Sequence, residues 1–391
     1  MPARTVYLDN AATTPIEPRV LDAMLPFMKE DFGNPSSVHS VGKRANVAVE
    51  EAREKIAHYI GAEPAEIVFT SGGTESDNAA IKGTIAGTGK NQIVTSRVEH
   101  HAILHPVQYG RKKGIKAHYL NVIPCGCVEA EDVEKAITDE TALVTLMHVN
   151  NEIGAINPIE EIAEICRRKG VVFHSDMVQS VGKYPVNVQE IGIDLLSLSG
   201  HKIYGPKGIG VLFVRNGTPW KPWMEGGSQE RRRRGGTLNV PGIVGLAKAL
   251  EIAVEEMDQN RRHMEGLSNR LVDGLKSRFG DLLAFNGNPD KGAYHVVNIS
   301  FPLSEDRALD GEMLLLNLDM EGIYCSNGSA CTSGAVEPSH VLTALGMVTP
   351  TAKSSLRFSV GKSTSVEDID YTLEKLDVIV NRMLKTVGQG V

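Results

Sequence analysis

The feature that most constrains the fold is a regular alternation of helical and strand-like patterns between residues 36 and 215. Apolar residues recur at every third or fourth position over 41–60, which predicts an amphipathic helix with Ser36 or Ser37 as its N-cap. A short run rich in β-branched and aromatic residues follows at 67–69. Helical patterns separate most of five further strand-like runs, at 92–95, 143–148, 171–174, 195–198 and 210–214. This rhythm predicts an α/β fold with a mostly parallel sheet flanked by helices.

The chain changes character after residue 240. A long helical stretch over about 243–278 contains no strand pattern, and the remainder mixes strand runs at 296–301 and 356–360 with helical ones. Mixed elements of this kind predict a second, smaller α+β domain toward the C-terminus. The predicted division is a large domain over 15–260 and a small domain formed by 1–14 and 261–391.

Composition and charge exclude several classes of protein. The 391 residues carry a net charge of -7, which gives no electrostatic basis for binding nucleic acid or an anionic membrane. No stretch approaches the ~18 apolar residues of a membrane helix, and residues 1–10 lack the apolar segment of a secretion signal. Five cysteines without regular spacing do not form a disulfide framework. We therefore expect a cytoplasmic protein that binds neither nucleic acid nor membrane.

The five cysteines differ in their surroundings. Cys125 and Cys127 form a C-G-C pair with no second ligand pair nearby, so no metal site is predicted. Cys166 lies on the apolar face of a helical pattern and Cys325 ends a short apolar segment, which favours packing roles for both. Cys331 differs, because it lies in the segment S-N-G-S-A-C-T-S-G, whose small polar residues are typical of a mobile loop.

The first candidate binding segment is the glycine turn T-S-G-G-T-E-S at 70–76, between a predicted strand and a predicted helix. Such a turn directs free backbone N–H groups at an anion, and the helix dipole favours a phosphate there. The alternative is a purely structural turn, since most glycine turns before helices bind nothing. Taken alone, the segment does not decide between the two.

Two further segments follow predicted strands, and each contains a charged residue. Asp176 either caps a helix or keeps the ring nitrogen of pyridoxal phosphate protonated. Lys202 comes after the next strand pattern; a single lysine is usually a surface residue, but its amine can also form a Schiff base with an aldehyde cofactor. The ordered combination of a phosphate turn, an acid and a lysine 26 positions after the acid favours a pyridoxal-phosphate site.

Five segments carry a resemblance to a known family: Y-L-D-N-A-A-T-T at 7–14, F-G-N-P at 32–35, M-H-V-N-N-E-I-G at 147–154, S-G-H-K at 199–202 and G-S-A-C-T at 328–332. With these motifs the chain resembles the class V group of fold-type I pyridoxal-phosphate enzymes, and specifically the NifS/IscS-type cysteine desulfurases. The resemblance covers nearly the whole chain. It departs from the usual pattern at Met177, where a small residue is common, and at Asn327, where serine is usual.

The resemblance implies a role for each residue around the cofactor. Lys202 would hold pyridoxal phosphate through a Schiff base, Asp176 would pair with the ring nitrogen, and Gln179 would hydrogen-bond the phenolic oxygen. His100 would stack on one face of the ring and help move protons, while Val178 would pack on the other face. The other implied cofactor contacts are Gly73, Thr74, Asn151, Ser199, Gly200, His201 and Thr237, the last reaching the phosphate of a neighbouring subunit in a homodimer.

For the substrate, the resemblance implies L-cysteine, with Asn34, Asn151 and Arg357 receiving its carboxylate. The implied reaction yields L-alanine and transfers the sulfur to Cys331 as a persulfide. A sulfur-acceptor protein, such as an iron–sulfur scaffold, would then take the sulfur for iron–sulfur clusters or other thio-cofactors.

Two alternatives stay open. One is a selenocysteine lyase or another pyridoxal-phosphate lyase of the same fold, which the Cys331 segment disfavours because sulfur capture needs a thiol whereas selenium release does not. The other is a non-catalytic scaffold in a sulfur-transfer complex. A scaffold has no chemical need for Lys202, Asp176, Gln179 and Cys331 together, so the enzyme is the favoured interpretation.

Overall fold

The computed structural model describes residues 4–302, 309–327 and 338–387. The helices are α1 (Pro18–Lys29), α2 (Ser40–Ile60), α3 (Gly73–Thr88), α4 (His101–Arg111), α5 (Ala130–Ala136), α6 (Ile159–Lys169), α7 (Val188–Ile191), α8 (Gln229–Arg232), α9 (Val240–Glu255), α10 (Met257–Phe279), α11 (Gly311–Met320), α12 (His340–Ala344), α13 (Thr349–Lys353) and α14 (Val366–Val387). The strands are β1 (Val6–Tyr7), β2 (Ile67–Thr70), β3 (Gln92–Ser96), β4 (Lys116–Leu120), β5 (Thr141–Thr145), β6 (Val172–Asp176), β7 (Leu195–Ser199), β8 (Gly210–Val214), β9 (Ala284–Phe285), β10 (Val296–Ser300), β11 (Ile323–Tyr324) and β12 (Leu356–Ser359). No helix in the described ranges is long and apolar enough to cross a membrane.

A seven-stranded sheet lies at the centre of the N-terminal part, in the order β2-β8-β7-β6-β5-β3-β4. β8 runs antiparallel to both of its neighbours, and the other neighbouring pairs are parallel. β5, β6 and β7 are buried along their whole lengths, as expected for strands covered on both faces. The predicted mostly parallel sheet is confirmed.

The start of α2 differs from the sequence prediction. The helix begins at Ser40 rather than after Ser36 or Ser37. Its N-cap is His39, whose Nδ1 accepts a hydrogen bond from the Gly42 amide at 3.2 Å. A histidine ring nitrogen therefore satisfies one of the free amides of the first turn, the task that serine was expected to perform.

Two strands also differ from the prediction. β5 ends at Thr145, so residues 146–148 of the predicted strand belong to the connection that follows it. β4 lies at the sheet edge, and its five residues alternate between exposed and half-buried until Leu120. So short an alternation with two basic residues does not stand out in the sequence as a strand.

The C-terminal part contains two smaller sheets. One is antiparallel with the order β12-β10-β9, and the other pairs β1 in parallel with β11. The predicted helical stretch over 243–278 consists of α9 and α10, which meet at Glu256. α9 packs against α1 and α2, whereas α10 packs against α14 and shares a second apolar core with β1, β10 and β12. The exact domain boundaries given above stay a prediction.

The parallel strands direct their carboxyl ends to one edge of the large sheet. β2 leads into the glycine turn before α3, and β3 leads into the loop before α4. β6 ends at Asp176, and β7 is followed by a tight turn that ends at Lys202. Ligands of α/β sheets bind at this edge, so the fold brings the candidate residues to the expected place.

Candidate active site

A cleft of about 400 Å³ opens at the carboxyl edge of the large sheet. Its walls come from the glycine turn, from the loops after β3 and β5, from the ends of β6 and β7, and from β12. Most of the residues predicted for the site line this cleft: Gly73, Thr74, His100, Asn151, Asp176, Val178, Gln179, Ser199, His201, Lys202 and Arg357.

Lys202 is held by backbone carbonyl groups of the N-terminal segment. Its Nζ donates hydrogen bonds to the carbonyl oxygens of Ala11 and Ala12, each at 2.7 Å. Burial lowers the pKa of Lys202 to about 8, the positive charge of Arg357 acts in the same direction, and Asp176 opposes it. An amine with this pKa is partly neutral near pH 7, so it can act as a nucleophile or as a base.

Asp176 and Gln179 face the same cleft from the end of β6. Burial raises the pKa of Asp176 to about 6, although the Val178 amide donates to its Oδ1 at 3.0 Å. The Gln179 Nε2 donates to the Ala11 carbonyl oxygen at 2.8 Å, and its buried Oε1 has no hydrogen-bond partner among the described residues. Both side chains therefore keep hydrogen-bonding capacity for a ligand.

A buried polar network under the cleft was not predicted from the sequence. His174 Nδ1 lies 2.8 Å from the Thr145 hydroxyl and its Nε2 lies 3.0 Å from the Ser197 hydroxyl, while burial lowers its pKa to about 3. Asp77 has its pKa raised well above the usual range by burial and by the charge of Asp176. Polar residues at 145, 174 and 197 inside otherwise apolar strands are the sequence signal that could have revealed this network.

A further buried acid, Glu99, lies in the loop after β3. It accepts hydrogen bonds from the Ser96 hydroxyl at 2.7 Å and from the Met147 amide at 2.9 Å. Burial raises its pKa to about 8, so the carboxyl is mostly neutral at physiological pH. Glu99 thereby ties the loop that carries His100 to the connection after β5.

The start of α3 has the properties of an anion site. The helix is 16 residues long, and Gly72 at its N-cap supplies no side-chain cap for the first amides. A Cβ at Gly73 would lie 2.7 Å from Val178 Cγ2, so glycine allows the turn to approach the residue that lines the cleft. The positive end of the helix dipole and the free N–H groups of the first turn of α3 favour the binding of a phosphate.

Arg234 stabilises that turn, which the sequence did not suggest. The run of arginines at 231–234 is expected to be a solvated loop, but Arg234 donates two hydrogen bonds to Glu75, at 2.8 and 3.0 Å. Glu75 in turn accepts the Ser71 amide at 2.7 Å. The expectation is therefore wrong for Arg234, because its guanidinium finds a half-buried carboxylate.

Arg357, on β12, is a buried cation that also lines the cleft. Its Nη1 donates to the Asn151 carbonyl oxygen at 2.9 Å, and its Nη2 donates to Asp9 Oδ1 at 2.7 Å. Its Nε is buried without a partner among the described residues. Asp9 was not assigned a role from the sequence, yet it orients the guanidinium that faces the cleft.

His100 is the N-cap of α4, and its Nδ1 accepts a hydrogen bond from the Ala102 amide at 3.1 Å. Burial lowers its pKa to about 4, and the charge of Lys202 adds to the effect. The ring is therefore neutral at physiological pH. Because Nδ1 accepts, the ring proton lies on Nε2, where it can be donated.

Three predicted residues that the structure describes do not line the cleft of this chain, and a fourth predicted residue is not described. Asn34 is exposed, and its side chain accepts a hydrogen bond from the Ser36 amide at 2.9 Å. Thr237 is also exposed, in the segment after Arg234. Gly200 lies buried in the turn before Lys202, and Cys331 lies outside the described residues.

The chain is similar to known proteins over nearly its whole length. The family described as aminotransferase class-V matches residues 6–372. A relative from Dictyoglomus turgidum named cysteine desulfurase IscS is 48% identical over 388 residues, which cover 98% of this chain and 96% of that protein.

Solved structures give the same picture. A NifS-like protein matches with a TM-score of 0.90 at 39% identity, covering 97% of this chain and 100% of its own. A structure described as SspA in complex with cysteine matches with a TM-score of 0.78 at 35% identity, covering 92% of this chain and 100% of its own. Because the family match spans most of the sequence and the relatives cover nearly all of it, this chain belongs to the class-V aminotransferase family.

Proposed function

We propose that the protein is a pyridoxal-phosphate-dependent cysteine desulfurase that converts L-cysteine to L-alanine and passes the sulfur to Cys331. The observation that carries the proposal is a buried lysine with a lowered pKa, Lys202, between a buried acid, Asp176, and a buried cation, Arg357, in one cleft. The relative named cysteine desulfurase IscS supports the choice of reaction.

The residues of the cleft fit pyridoxal phosphate. Lys202 would bind its aldehyde carbon, Asp176 would pair with the protonated ring nitrogen, and Gln179, whose Nε2 gives one hydrogen to Ala11, would donate the other to the phenolic oxygen. When bound, the cofactor draws electrons released at the substrate Cα into its ring. The residues proposed to contact the rest of the cofactor are Gly73, Thr74, Ser199, Gly200 and His201 at the phosphate, and His100, Asn151 and Val178 around the ring.

The substrate would be held by its carboxylate. Arg357 keeps N–H groups beyond the two that it gives to Asp9 and Asn151, and these can donate to a carboxylate as a fork. Asn151 and Asn34 are the proposed amide contacts. Lys202, once released from the cofactor, would take the Cα proton on its Nζ, and His100 would return a proton from its Nε2.

Sulfur transfer would use the Cys331 thiolate. The thiolate forms a bond to the substrate sulfur while the bond between that sulfur and Cβ breaks, and the carbon fragment leaves as alanine after gaining protons. The persulfide on Cys331 would then pass its sulfur to an acceptor protein such as an iron–sulfur scaffold.

The proposed assembly is a cytoplasmic homodimer. Thr237 is exposed and does not line the cleft of its own chain, which is compatible with a contact to the phosphate of a neighbouring subunit. Arg234, three positions before Thr237, is bound to Glu75 in the glycine turn at 70–76, so the exposed segment that carries Thr237 begins beside the cleft.

The experiment that tests the proposal is incubation of the holoenzyme with L-cysteine, followed by assays of alanine, of sulfide and of the mass of Cys331. We expect alanine and a gain of one sulfur atom on Cys331. Cys331→Ala should bind the cofactor but form no alanine, whereas the control Cys125→Ala, at a half-buried cysteine, should act like the parent. Alanine and sulfide at the parent rate from Cys331→Ala would show that the protein is a direct-elimination lyase.

A further inference from the structure

An inner chamber of about 30 Å³ lies beside the cleft, and Lys202 lines both. Much of its wall is apolar and comes from α9 and α10, with Ile252 and Met264 among the lining residues. Asn10, Lys183 and His295 add polar groups to this wall. None of these three residues has a role in the function proposed above.

The polar atoms of these three residues are buried without partners. Asn10 Oδ1, Lys183 Nζ and both ring nitrogens of His295 have no hydrogen-bond partner among the described residues. His295 is 1% exposed, and its carbonyl oxygen accepts a hydrogen bond from the Val360 amide at 3.1 Å. Buried polar atoms in folded proteins are almost always paired with protein or with ordered water. These four atoms therefore point to bound water.

The size and charge of the chamber agree with water as the occupant. One water needs roughly 10–15 Å³ of such volume, so the chamber has room for about two. The charged side chains of Glu17 and Lys362 also line it, but they pair with each other and not with Lys183. Water is thus the partner that remains for the Lys183 amine.

Lys183 and Lys202 have similar basicity. Burial lowers the pKa of Lys183 to about 7, and the charge of Lys202 acts in the same direction. The pKa of Lys202 is lowered to about 8. Two amines of nearly equal pKa that line one chamber can exchange a proton through water at little cost, whereas burial holds His295 neutral.

We propose that the inner chamber is a water site built by Asn10, Lys183 and His295, and that Lys183 is a positioning residue that exchanges protons with Lys202 through this water. The inference rests on the proposed role of Lys202 as the base at the substrate Cα. A proton leaves the Lys202 ammonium for a chamber water, and that water passes one of its own protons to the neutral Lys183 amine. Only N–H and O–H bonds change, so no further reactant is needed.

A crystal structure of the holoenzyme at high resolution tests the water site without reference to activity. We expect about two ordered waters in the chamber, at ~2.7–3.2 Å from Lys183 Nζ and from a ring nitrogen of His295. An empty chamber, or a direct hydrogen bond between Lys183 and His295, would overturn the proposal. This readout does not depend on the behaviour of any variant.

Isotope washout tests the proton exchange. L-Alanine with deuterium at Cα is incubated with holoenzyme in ordinary water, and loss of the label is followed by NMR. In Lys183→Met the loss should slow by ~1.5-fold, because a Lys202 ammonium that cannot exchange holds two ordinary hydrogens beside the deuteron and returns the deuteron to carbon in about one event of three. Lys183→Arg should be slow as well, since arginine keeps the charge but cannot take up a proton.

The controls separate this inference from the proposed function. Lys112→Met, at an exposed lysine, should match the parent rate. Lys202→Ala should lose no label at all; washout at the parent rate in that variant would refute the role of Lys202 itself. If Lys202→Ala is inactive but Lys183→Met and Lys183→Arg wash out at the parent rate, the chamber does not carry protons to Lys202.

Discussion

Replacing Arg357 with alanine should weaken the binding of L-cysteine strongly. Arg357 is 3% exposed, and its guanidinium already gives one N–H to Asn151 and one to Asp9, so its remaining N–H groups are those available to a carboxylate. A hydrogen bond between charged groups contributes about 1.5–3 kcal/mol. Since about 1.4 kcal/mol corresponds to a factor of ten, we expect the KM for cysteine to rise roughly 10- to 150-fold.

Steady-state alanine formation over a range of cysteine concentrations measures the effect. Arg357→Lys keeps the charge but loses the planar fork, so its KM should fall between those of the parent and of Arg357→Ala. Arg270→Lys is the matched control for the change from arginine to lysine. Arg270 also makes a bidentate contact to a carboxylate, that of Asp370, at 2.6 and 2.8 Å, but on the exposed surface, so the KM for cysteine should not change. An unchanged KM in Arg357→Ala would place Arg357 outside the substrate site.

The same substitution should also change Lys202 in the cofactor-free protein. The positive charge of Arg357 lowers the pKa of Lys202, so its removal favours the ammonium form and should raise that pKa above about 8. Labelling of Lys202 by an amine reagent, followed by mass spectrometry across a pH series, should show a midpoint at higher pH than in the parent. A midpoint that stays or moves to lower pH would contradict the electrostatic argument.

Three other substitutions test separate parts of the protein. Lys202→Ala should lack the cofactor's visible absorbance band after reconstitution; a retained band with full turnover would mean that another lysine binds the cofactor. Glu230→Gln breaks the buried ion pair with Arg53, in which the Glu230 side chain is 1% and the Arg53 side chain 4% exposed, and should lower the free energy of unfolding, measured in urea, by about 3–5 kcal/mol. Glu50, the other acid that pairs with Arg53, is more exposed, so Glu50→Gln should lower the free energy of unfolding by under about 1 kcal/mol. Equal losses in the two variants would contradict this difference between the buried and the exposed pair. The pKa of Glu99 is about 8 in the folded protein and ~4.3 in the unfolded chain, so the free energy of unfolding of the parent should fall as pH rises between these values. Glu99→Gln has no titrating group at this position, so its free energy of unfolding should fall less over the same pH range. An identical pH dependence in parent and variant would contradict the raised pKa of Glu99.

The sequence predicts what depends on local pattern. Strands β6 and β7 were recognised by their apolar runs, and their ends place Asp176 and Lys202 at one edge of the sheet because parallel strands end together. The glycine turn at 70–76 follows from the same reasoning, since a glycine turn before a helix has a recognisable local sequence, whereas phosphate binding there stays a prediction. These parts of the site need only the order of elements along the chain.

Contacts between distant residues could not be predicted in this way. Asp9 and Arg357 are 348 positions apart, and no local pattern pairs them. Arg234 and Glu75 are 159 positions apart, and the default for an arginine run is a solvated surface. The antiparallel direction of β8 is a further example, because hydrophobic periodicity reports burial but not strand direction.

The charges of the cleft are poorly compensated by the chain alone. Burial moves the pKa of Asp176 up to about 6 and that of Lys202 down to about 8, so each group shifts toward its neutral form, as an isolated buried charge must. The pKa of Asp77 is also raised, by burial and by the charge of Asp176. A ligand with a ring cation next to Asp176, a phosphate at the start of α3 and a carboxylate at Arg357 carries the opposite charge at each place. The site is therefore complementary in charge to the proposed cofactor and substrate, and a ring cation next to Asp176 should lower the pKa of this acid and favour its ionised form.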